Sequence, residues 1–207
     1  MRFIHAVPAT ASTDFFAGDL KAFSNIAYKS VTPYSEVPAS KHMFRLRLAG
    51  QDSAQPLVEE TESLNKGTHY TAVALPSAGT AIIARNDGTD LLFLVDKFAA
   101  PSAGKAKLRV VHAVPDLGEL DIYLAGRSEA VLKGIGFGSA VDYAELDPST
   151  AALEVRRAGE NVTTLTVPQT TLAADKLYTV LIVGRTKGTA NLEAVIIEDQ
   201  LGSAPAK

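Results

Sequence analysis

Apolar and polar residues alternate with a period of two along much of the chain. Segments 44–48, 120–124 and 153–156 place an apolar side chain on every second position. This is the period of half-buried β-strands. Two further segments, Leu177–Val183 and 194–197, are almost continuously apolar, which predicts central strands buried on both faces. Clusters of turn-forming residues separate the segments and predict about seven short strands in each half of the chain.

One segment suggests a helix instead. Residues 19–29 carry apolar side chains near helical spacing, but the counterpart segment 128–137 contains Gly134 and Gly136, which weaken a helix. We therefore predict strand or irregular structure for both segments, and an all-β fold for the chain.

The chain contains two copies of one module. Residues 109–115 read Arg-Val-Val-His-Ala-Val-Pro, and five of these seven residues recur 107 positions earlier, in residues 2–8. Two domains of about 100 residues have the usual size of a β-sandwich. We predict a first sandwich over residues 1–98, a linker over 99–107, a second sandwich over 108–200 and a tail over 201–207.

Composition excludes several classes of function. The chain has 207 residues and no cysteine, which rules out disulfides, thiol nucleophiles and thiolate metal sites. Lys and Arg (20) nearly balance Asp and Glu (23), and no basic cluster indicates a nucleic-acid partner. No apolar run is long enough for a transmembrane segment. Hydrophobic residues make up 46% of the chain, enough to supply contacts between domains or subunits.

Several motifs together resemble the DUF4397 family, a domain of unknown function. They are residues 109–116 and 121–126, Phe137, Tyr143 and residues 172–180. The resemblance covers nearly the whole chain in two copies. The first copy fits less well, because Ala9 and Phe16 replace the Asp and Tyr of the pattern.

The resemblance implies an immunoglobulin-like β-sandwich and a location outside the cytoplasm, whether periplasmic, secreted or at the cell surface. It implies no established reaction. Met1 is followed directly by the first strand motif, so we expect an export segment that this sequence does not include.

Polar residues recur at matching positions of the two copies and are the first candidates for a site. His5 and His112 end the first strand of each copy, and Asp14 and Asp121 follow on the next strand. A His–carboxylate pair occurs in catalytic relays and around metals. No nucleophile recurs beside the pair, which favours a structural role in the turn. We predict structural roles for all the repeated polar positions: His5, His112, Asp14, Asp121, Tyr34, Tyr143, Tyr70 and Tyr178. The last two fit the tyrosine that anchors a corner in such sandwiches.

Other motifs do not amount to a reactive site. The four histidines show no metal-binding spacing. Residues 86–90 are rich in oxygen ligands but lack the acidic pattern of a calcium loop, and a hairpin turn is the better interpretation. The glycines of residues 134–138 lack the spacing and the following helix of a dinucleotide-binding motif. We predict no catalytic residue, no metal and no cofactor.

These observations favour a non-enzymatic, extracytoplasmic structural or adhesion module that self-associates through strand edges. Its expected partner is a second copy of the chain or a component of the cell envelope. The alternative is a module that binds a small ligand or glycan at a cleft between the domains. The third hypothesis is a hydrolase or metal site around His5 or His112.

Overall fold

The computed structural model describes residues 1–77, 89–187 and 190–199. Over these residues the chain forms sixteen β-strands and no helix, so the all-β prediction is confirmed. The chain divides into two compact units, Met1–Lys97 and Phe98–Lys207. The predicted turn at 86–88 and the predicted tail at 201–207 lie outside the described residues.

The first unit contains two β-sheets. Its strands are β1 (Arg2–His5), β2 (Thr13–Ala17), β3 (Leu20–Ile26), β4 (Lys41–Leu48), β5 (Val58–Ser63), β6 (Tyr70–Pro76) and β7 (Thr89–Val95). One sheet has the order β1-β6-β7, with β1 parallel to β6, and the other has the order β3-β2-β4-β5.

Phenylalanines fill the space between these two sheets. The Phe3 ring stacks on Phe15 at a centroid distance of 4.5 Å, and Phe15 stacks on Phe44 at 5.5 Å. Phe44 and Leu46 are fully buried, whereas the arginines that alternate with them are partly exposed. The period of two in the sequence therefore separates the core face from the solvent face of β4.

The second unit repeats this arrangement with additional short strands. Its strands are β8 (Ala106–His112), β9 (Leu120–Leu124), β10 (Ala130–Ile135), β11 (Ser139–Ala140), β12 (Ala144–Leu146), β13 (Ser149–Arg157), β14 (Thr163–Leu172), β15 (Leu177–Val183) and β16 (Glu193–Asp199). One sheet has the order β11-β8-β15-β16, with β12 also paired to β8, and the other has the order β10-β9-β13-β14. Aliphatic residues from both sheets share one core, including Leu108, Val110, Ile122 and Leu153.

Two sequence-based assignments can be compared with these strands. The segments 19–29 and 128–137 contain β3 and β10, in agreement with the strand interpretation. Strand β8 begins at Ala106, within the segment predicted as linker. The two sheets around a shared core fit tandem β-sandwiches, and the immunoglobulin-like topology stays a prediction.

The prediction of two central strands is right for one and wrong for the other. Strand β15 lies between β8 and β16, and all seven of its residues are buried. Strand β16 pairs with β15 alone, and Ile196 is 40% exposed. An apolar run indicates burial of the side chains it carries, but it does not determine whether a second strand pairs with its backbone.

Candidate functional site

His5 and His112 each close the turn that follows the first strand of their unit. Both side chains are fully buried. In each, Nδ1 accepts the N–H of the residue two positions later, at 3.3 and 3.2 Å respectively. In each, Nε2 faces the carbonyl oxygen of the residue six positions later, at 3.4 and 2.7 Å.

These contacts determine the state of the two imidazoles. A backbone N–H only donates and a carbonyl only accepts, so Nδ1 carries the lone pair and Nε2 carries the proton. Burial lowers the pKa of both histidines, more strongly than the carbonyl contacts raise it. With both nitrogens occupied, neither imidazole has a lone pair left for a proton or a metal.

The aspartates that the sequence placed near these histidines bond elsewhere. Asp14 accepts hydrogen bonds from the N–H of Asn25 at 2.7 Å, the N–H of Gly50 at 3.1 Å and Lys21 Nζ at 3.0 Å. Desolvation opposes ionisation of Asp14, but these donors outweigh it and hold the pKa of Asp14 below its usual value. Asp121 likewise accepts the N–H of a glycine, residue 134, at 2.9 Å. The His–carboxylate relay considered from the sequence is therefore not assembled.

A buried polar cluster instead links distant elements of the first unit. Asp96, just after β7, accepts hydrogen bonds through Oδ2 from the hydroxyls of Tyr34 at 2.8 Å and Thr71 at 2.7 Å. Thr71 Oγ1 in turn accepts from Arg2 Nε at 2.9 Å, and the guanidinium lies 5.1 Å from the centre of the Tyr34 ring. Arg2, Thr71 and Asp96 are all buried.

The second unit contains the same cluster. Asp199 Oδ2 accepts from the hydroxyls of Tyr143 at 2.7 Å and Thr179 at 2.5 Å. Arg109 Nε donates to Thr179 Oγ1 at 3.1 Å, and its guanidinium lies 4.7 Å from the centre of the Tyr143 ring. We call each set the Arg–Thr–Asp–Tyr network. Burial raises the pKa of both tyrosines, so their hydroxyls stay protonated and act as donors.

Sequence reasoning identified the tyrosines of this network but missed Asp96 and Asp199. A signal exists, because an aspartate ends the last strand of the second copy and directly follows the last strand of the first copy. The two aspartates are 103 positions apart (199 − 96), whereas the earlier repeat positions are 107 to 109 apart. The number of residues between the last two strands differs between the copies, which hides the correspondence.

Tyr70 is the first residue of the fully buried strand β6, and Tyr178 is the second residue of the fully buried strand β15. Each hydroxyl accepts the backbone N–H of the residue five positions earlier, at 3.1 Å in the first unit and 3.2 Å in the second. A tyrosine that bonds back to the backbone upstream of its strand holds a corner of a sandwich. These repeated histidines, aspartates and tyrosines thus bond mainly to backbone groups of their own unit.

No metal site is present in residues 1–77, 89–187 or 190–199, where no three His, Asp or Glu side chains converge. The two unrepeated histidines have local contacts. His42 Nε2 lies 2.7 Å from the carbonyl oxygen of Pro38, and the His69 ring packs edge-on against Tyr34 at 5.3 Å. No helix capable of crossing a membrane occurs in this part of the chain.

The strand edges differ in how they are protected against pairing with another chain. The β5 edge carries three glutamates at 59, 60 and 62, and β14 contains Pro168. The pairings of β3 and β10 with their neighbours contain register shifts. Charges, prolines and bulges of this kind protect exposed edges.

Strands β7 and β16 contain no proline, and their acidic residues lie near the strand ends, at positions 90, 193, 198 and 199. Each forms seven consecutive residue pairs with its neighbour without a register shift, and each pairs on one side only among the described residues. Val95 at the end of β7 is 50% exposed and Ile196 in the middle of β16 is 40% exposed. These two equivalent edges are the candidate interaction surfaces of the fold.

Comparison with known proteins identifies a family and similar solved structures. A family model described as "Domain of unknown function (DUF4397)" matches residues 1–123 and 106–207. No curated protein matches the sequence. The C-terminal domain of AlgF from P. aeruginosa is 21% identical over 46% of this chain and 99% of that domain, with a TM-score of 0.36.

Proposed function

Since this chain belongs to the DUF4397 family, whose function is unknown, we propose a function from its own geometry. The protein is a non-enzymatic structural module outside the cytoplasm. It self-associates by pairing the exposed edge of β16, or the equivalent edge of β7, with a second copy of the chain.

The contrast between strand edges carries this proposal. The sheets β3-β2-β4-β5 and β10-β9-β13-β14 end in strands that carry glutamates, a proline or register shifts. The edges of β7 and β16 are regular, apolar in their middle and equivalent in the two copies. An unprotected edge presents unpaired backbone groups that another strand can complete.

The sequence of β16 suits antiparallel pairing with itself. A two-fold axis at Ile196 would place Ile196 opposite its own copy and Val195 opposite Ile197. Apolar cross-strand pairs of this kind contribute about 0.2–1 kcal/mol each. A few such pairs hold two chains only weakly, so we expect the association to depend on concentration.

The state of the repeated polar residues supports a non-enzymatic role. His5 and His112 have both nitrogens hydrogen-bonded, and Asp96 and Asp199 are held by hydroxyl donors. A general base needs a lone pair within reach of its substrate. These groups stabilise the sandwich instead.

Light scattering of the whole chain over a wide concentration range tests self-association. We expect the mass to rise above the monomer value of 21.8 kDa as concentration increases. Ile196→Lys combined with Val95→Lys should keep the chain at 21.8 kDa, because a lysine on each of the two edge strands opposes pairing. Val162→Lys is the matched control, since Val162 is 70% exposed and lies outside the strands.

Two results would overturn the proposal in different ways. A wild-type mass of 21.8 kDa at every concentration would exclude self-association. Association retained in the variant that carries both lysines would exclude the β16 and β7 edges. A circular dichroism spectrum identical to that of the wild type shows that each variant is folded.

The location outside the cytoplasm rests on the family resemblance. Protease is added to intact cells and to cells whose outer membrane has been permeabilised. In one of these two samples it should degrade the protein, while a cytoplasmic marker stays intact. Protection of the protein until the cytoplasmic membrane is broken would refute the location. A small-ligand or glycan-binding role stays the alternative prediction.

A further inference from the structure

The second unit has an open polar cleft that the repeated networks do not use. It lies between the turn after β13 and the loop after β15, and its volume is about 390 Å³. The lining residues are Arg157, Glu160, Thr164, Arg185, Thr186, Asn191 and Leu192.

Two guanidinium groups in this cleft make no hydrogen bond to the described residues, although Arg185 interacts electrostatically with Asp116. Arg157 and Arg185 are both exposed. Neither side chain forms a hydrogen bond or an ion pair with the residues that the structure describes. Most other cations of the second unit are engaged, as Arg156 is with Glu154 at 2.7 Å.

The loop that carries Arg185 is anchored on both of its sides. Thr186 donates its N–H and its hydroxyl to the Asp116 carboxylate, at 3.1 and 2.5 Å. The N–H of Arg185 donates to the carbonyl of Ala190 at 3.0 Å. Gly184 adopts a φ of +105° and lies against the backbone of Asn191, where a side chain would not fit. Residues 184–186, which these contacts hold in place, lose little conformational entropy when a ligand binds.

The two copies differ at the residues of this cleft. Leu48 occupies the position of Arg157 in the first copy, and Ser77 occupies the position of Arg185. The networks that hold the sandwich together are repeated in both copies, so the fold does not require the two arginines. Their presence in one copy only indicates a role that belongs to the second unit.

We propose that this cleft binds a small, hydroxylated organic anion. Guanidinium groups pair with carboxylate and phosphate through two parallel hydrogen bonds, which explains two arginines facing one space. Thr164 and Asn191 offer further hydrogen bonds to hydroxyl groups. Glu160 in the lining and Asp116 beside Arg185 both offset positive charge, which favours a ligand with a single anionic group.

The size of the cleft limits the ligand. Its volume of about 390 Å³ is at the lower end of the range for small-molecule pockets. A single acidic sugar unit, or a molecule of similar size, fills this space. The ligand class is therefore a monosaccharide-sized polyol that carries a carboxylate or a phosphate.

Titration of the isotopically labelled whole chain, followed by amide NMR, tests this proposal. The probes are glucuronate, glucose 6-phosphate, neutral glucose and inorganic phosphate. We expect saturable shifts in residues 157–164 and 185–192 with at least one acidic sugar, and at least tenfold weaker binding of glucose. The tighter of the two acidic sugars identifies the anionic group that the arginines prefer.

Variants taken from the first copy separate a specific site from general charge effects. Arg157→Leu and Arg185→Ser should each weaken binding of the acidic sugar by about tenfold, the effect of losing one charge-assisted pair. Arg127→Leu removes another exposed arginine of the same unit, outside the cleft, and should leave the affinity unchanged. An unchanged melting temperature shows that the variants are folded.

Three results would overturn the proposal. They are the absence of saturable shifts with both acidic sugars, affinity retained in both cleft variants, and inorganic phosphate binding as tightly as glucose 6-phosphate. The last result would identify an unspecific anion contact. None of these results depends on self-association. A chain that stays monomeric and binds the acidic sugar would still support the proposed binding site in the cleft.

Discussion

Replacing Tyr143 with phenylalanine should destabilise the second unit measurably. The change removes only the hydroxyl, which donates to Asp199 Oδ2 at 2.7 Å, and leaves the ring under the Arg109 guanidinium. Asp199 is 2% exposed, so water cannot readily replace the lost donor. Thr179 continues to donate to the same oxygen.

The expected loss follows from the nature of this bond. A hydrogen bond to a charged group contributes about 1.5–3 kcal/mol to the free energy of unfolding. One donor remains on Asp199, so we expect a loss of about 2 kcal/mol. For a domain of about 100 residues, this corresponds to a decrease of roughly 8–16 °C in Tm.

Scanning calorimetry of the whole chain measures the effect, with Tyr123→Phe as the control. The Tyr123 hydroxyl makes no hydrogen bond within the described residues, and its ring lies beneath Arg156 as the Tyr143 ring lies beneath Arg109. The control should change Tm by less than about 2 °C, which corresponds to less than about 0.5 kcal/mol.

The first unit provides a second test of the same reasoning. Tyr34→Phe should lower the transition of the first unit by a similar amount, because Tyr34 donates to Asp96 at 2.8 Å. A double-mutant cycle of Tyr143→Phe with Asp199→Asn should give a coupling energy of about 1 kcal/mol or more. A loss for Tyr143→Phe no larger than that of Tyr123→Phe would refute the network as a source of stability.

Three further changes test other parts of the fold. Burial lowers the pKa of His112 in the folded protein, so the unfolded chain takes up the proton first and stability should fall as pH decreases below about 6.5. In urea unfolding, His112→Asn should reduce this dependence, and an unchanged dependence would contradict the assignment. Tyr178→Phe should cost about 1 kcal/mol, seen as a lower urea midpoint, because the Ala173 N–H loses its acceptor. Gly184→Ala should cost about 3 kcal/mol or more, since the new methyl group would meet a backbone carbonyl, whereas Gly159→Ala has open space and should cost about 1 kcal/mol. Similar melting temperatures for the two alanine variants would contradict this difference.

Much of the fold could be predicted because its signals are local. Alternation of apolar and polar residues reflects the geometry of a strand over a few residues, so β4, β9 and β13 were recognisable. The repeat of the Arg-x-x-His-Ala-Val-Pro motif determined two units, since equivalent sequences form equivalent structures. The pairs His5 and His112, and Tyr70 and Tyr178, were recognisable as equivalent positions of the two copies for the same reason.

Tertiary structure decided the features that depend on which strands become neighbours. Asp14 and His5 are close in the sequence, yet they do not bond to each other. Asp14 accepts the N–H of Asn25, and His5 accepts the N–H of Val7. Asp96 meets Tyr34 across 62 positions of sequence, and no local pattern encodes that contact. The edge position of β16 also followed only from pairing.

The candidate cleft shows the same difference between what the sequence determines and what the tertiary structure decides. The sequence by itself determined that the chain is an all-β tandem repeat whose copies share their buried polar positions. Only the tertiary structure brought Arg157 and Arg185, from the ends of strands in different sheets, to one cleft. Strand formation is governed by neighbouring residues, whereas a site forms where separate strands end side by side.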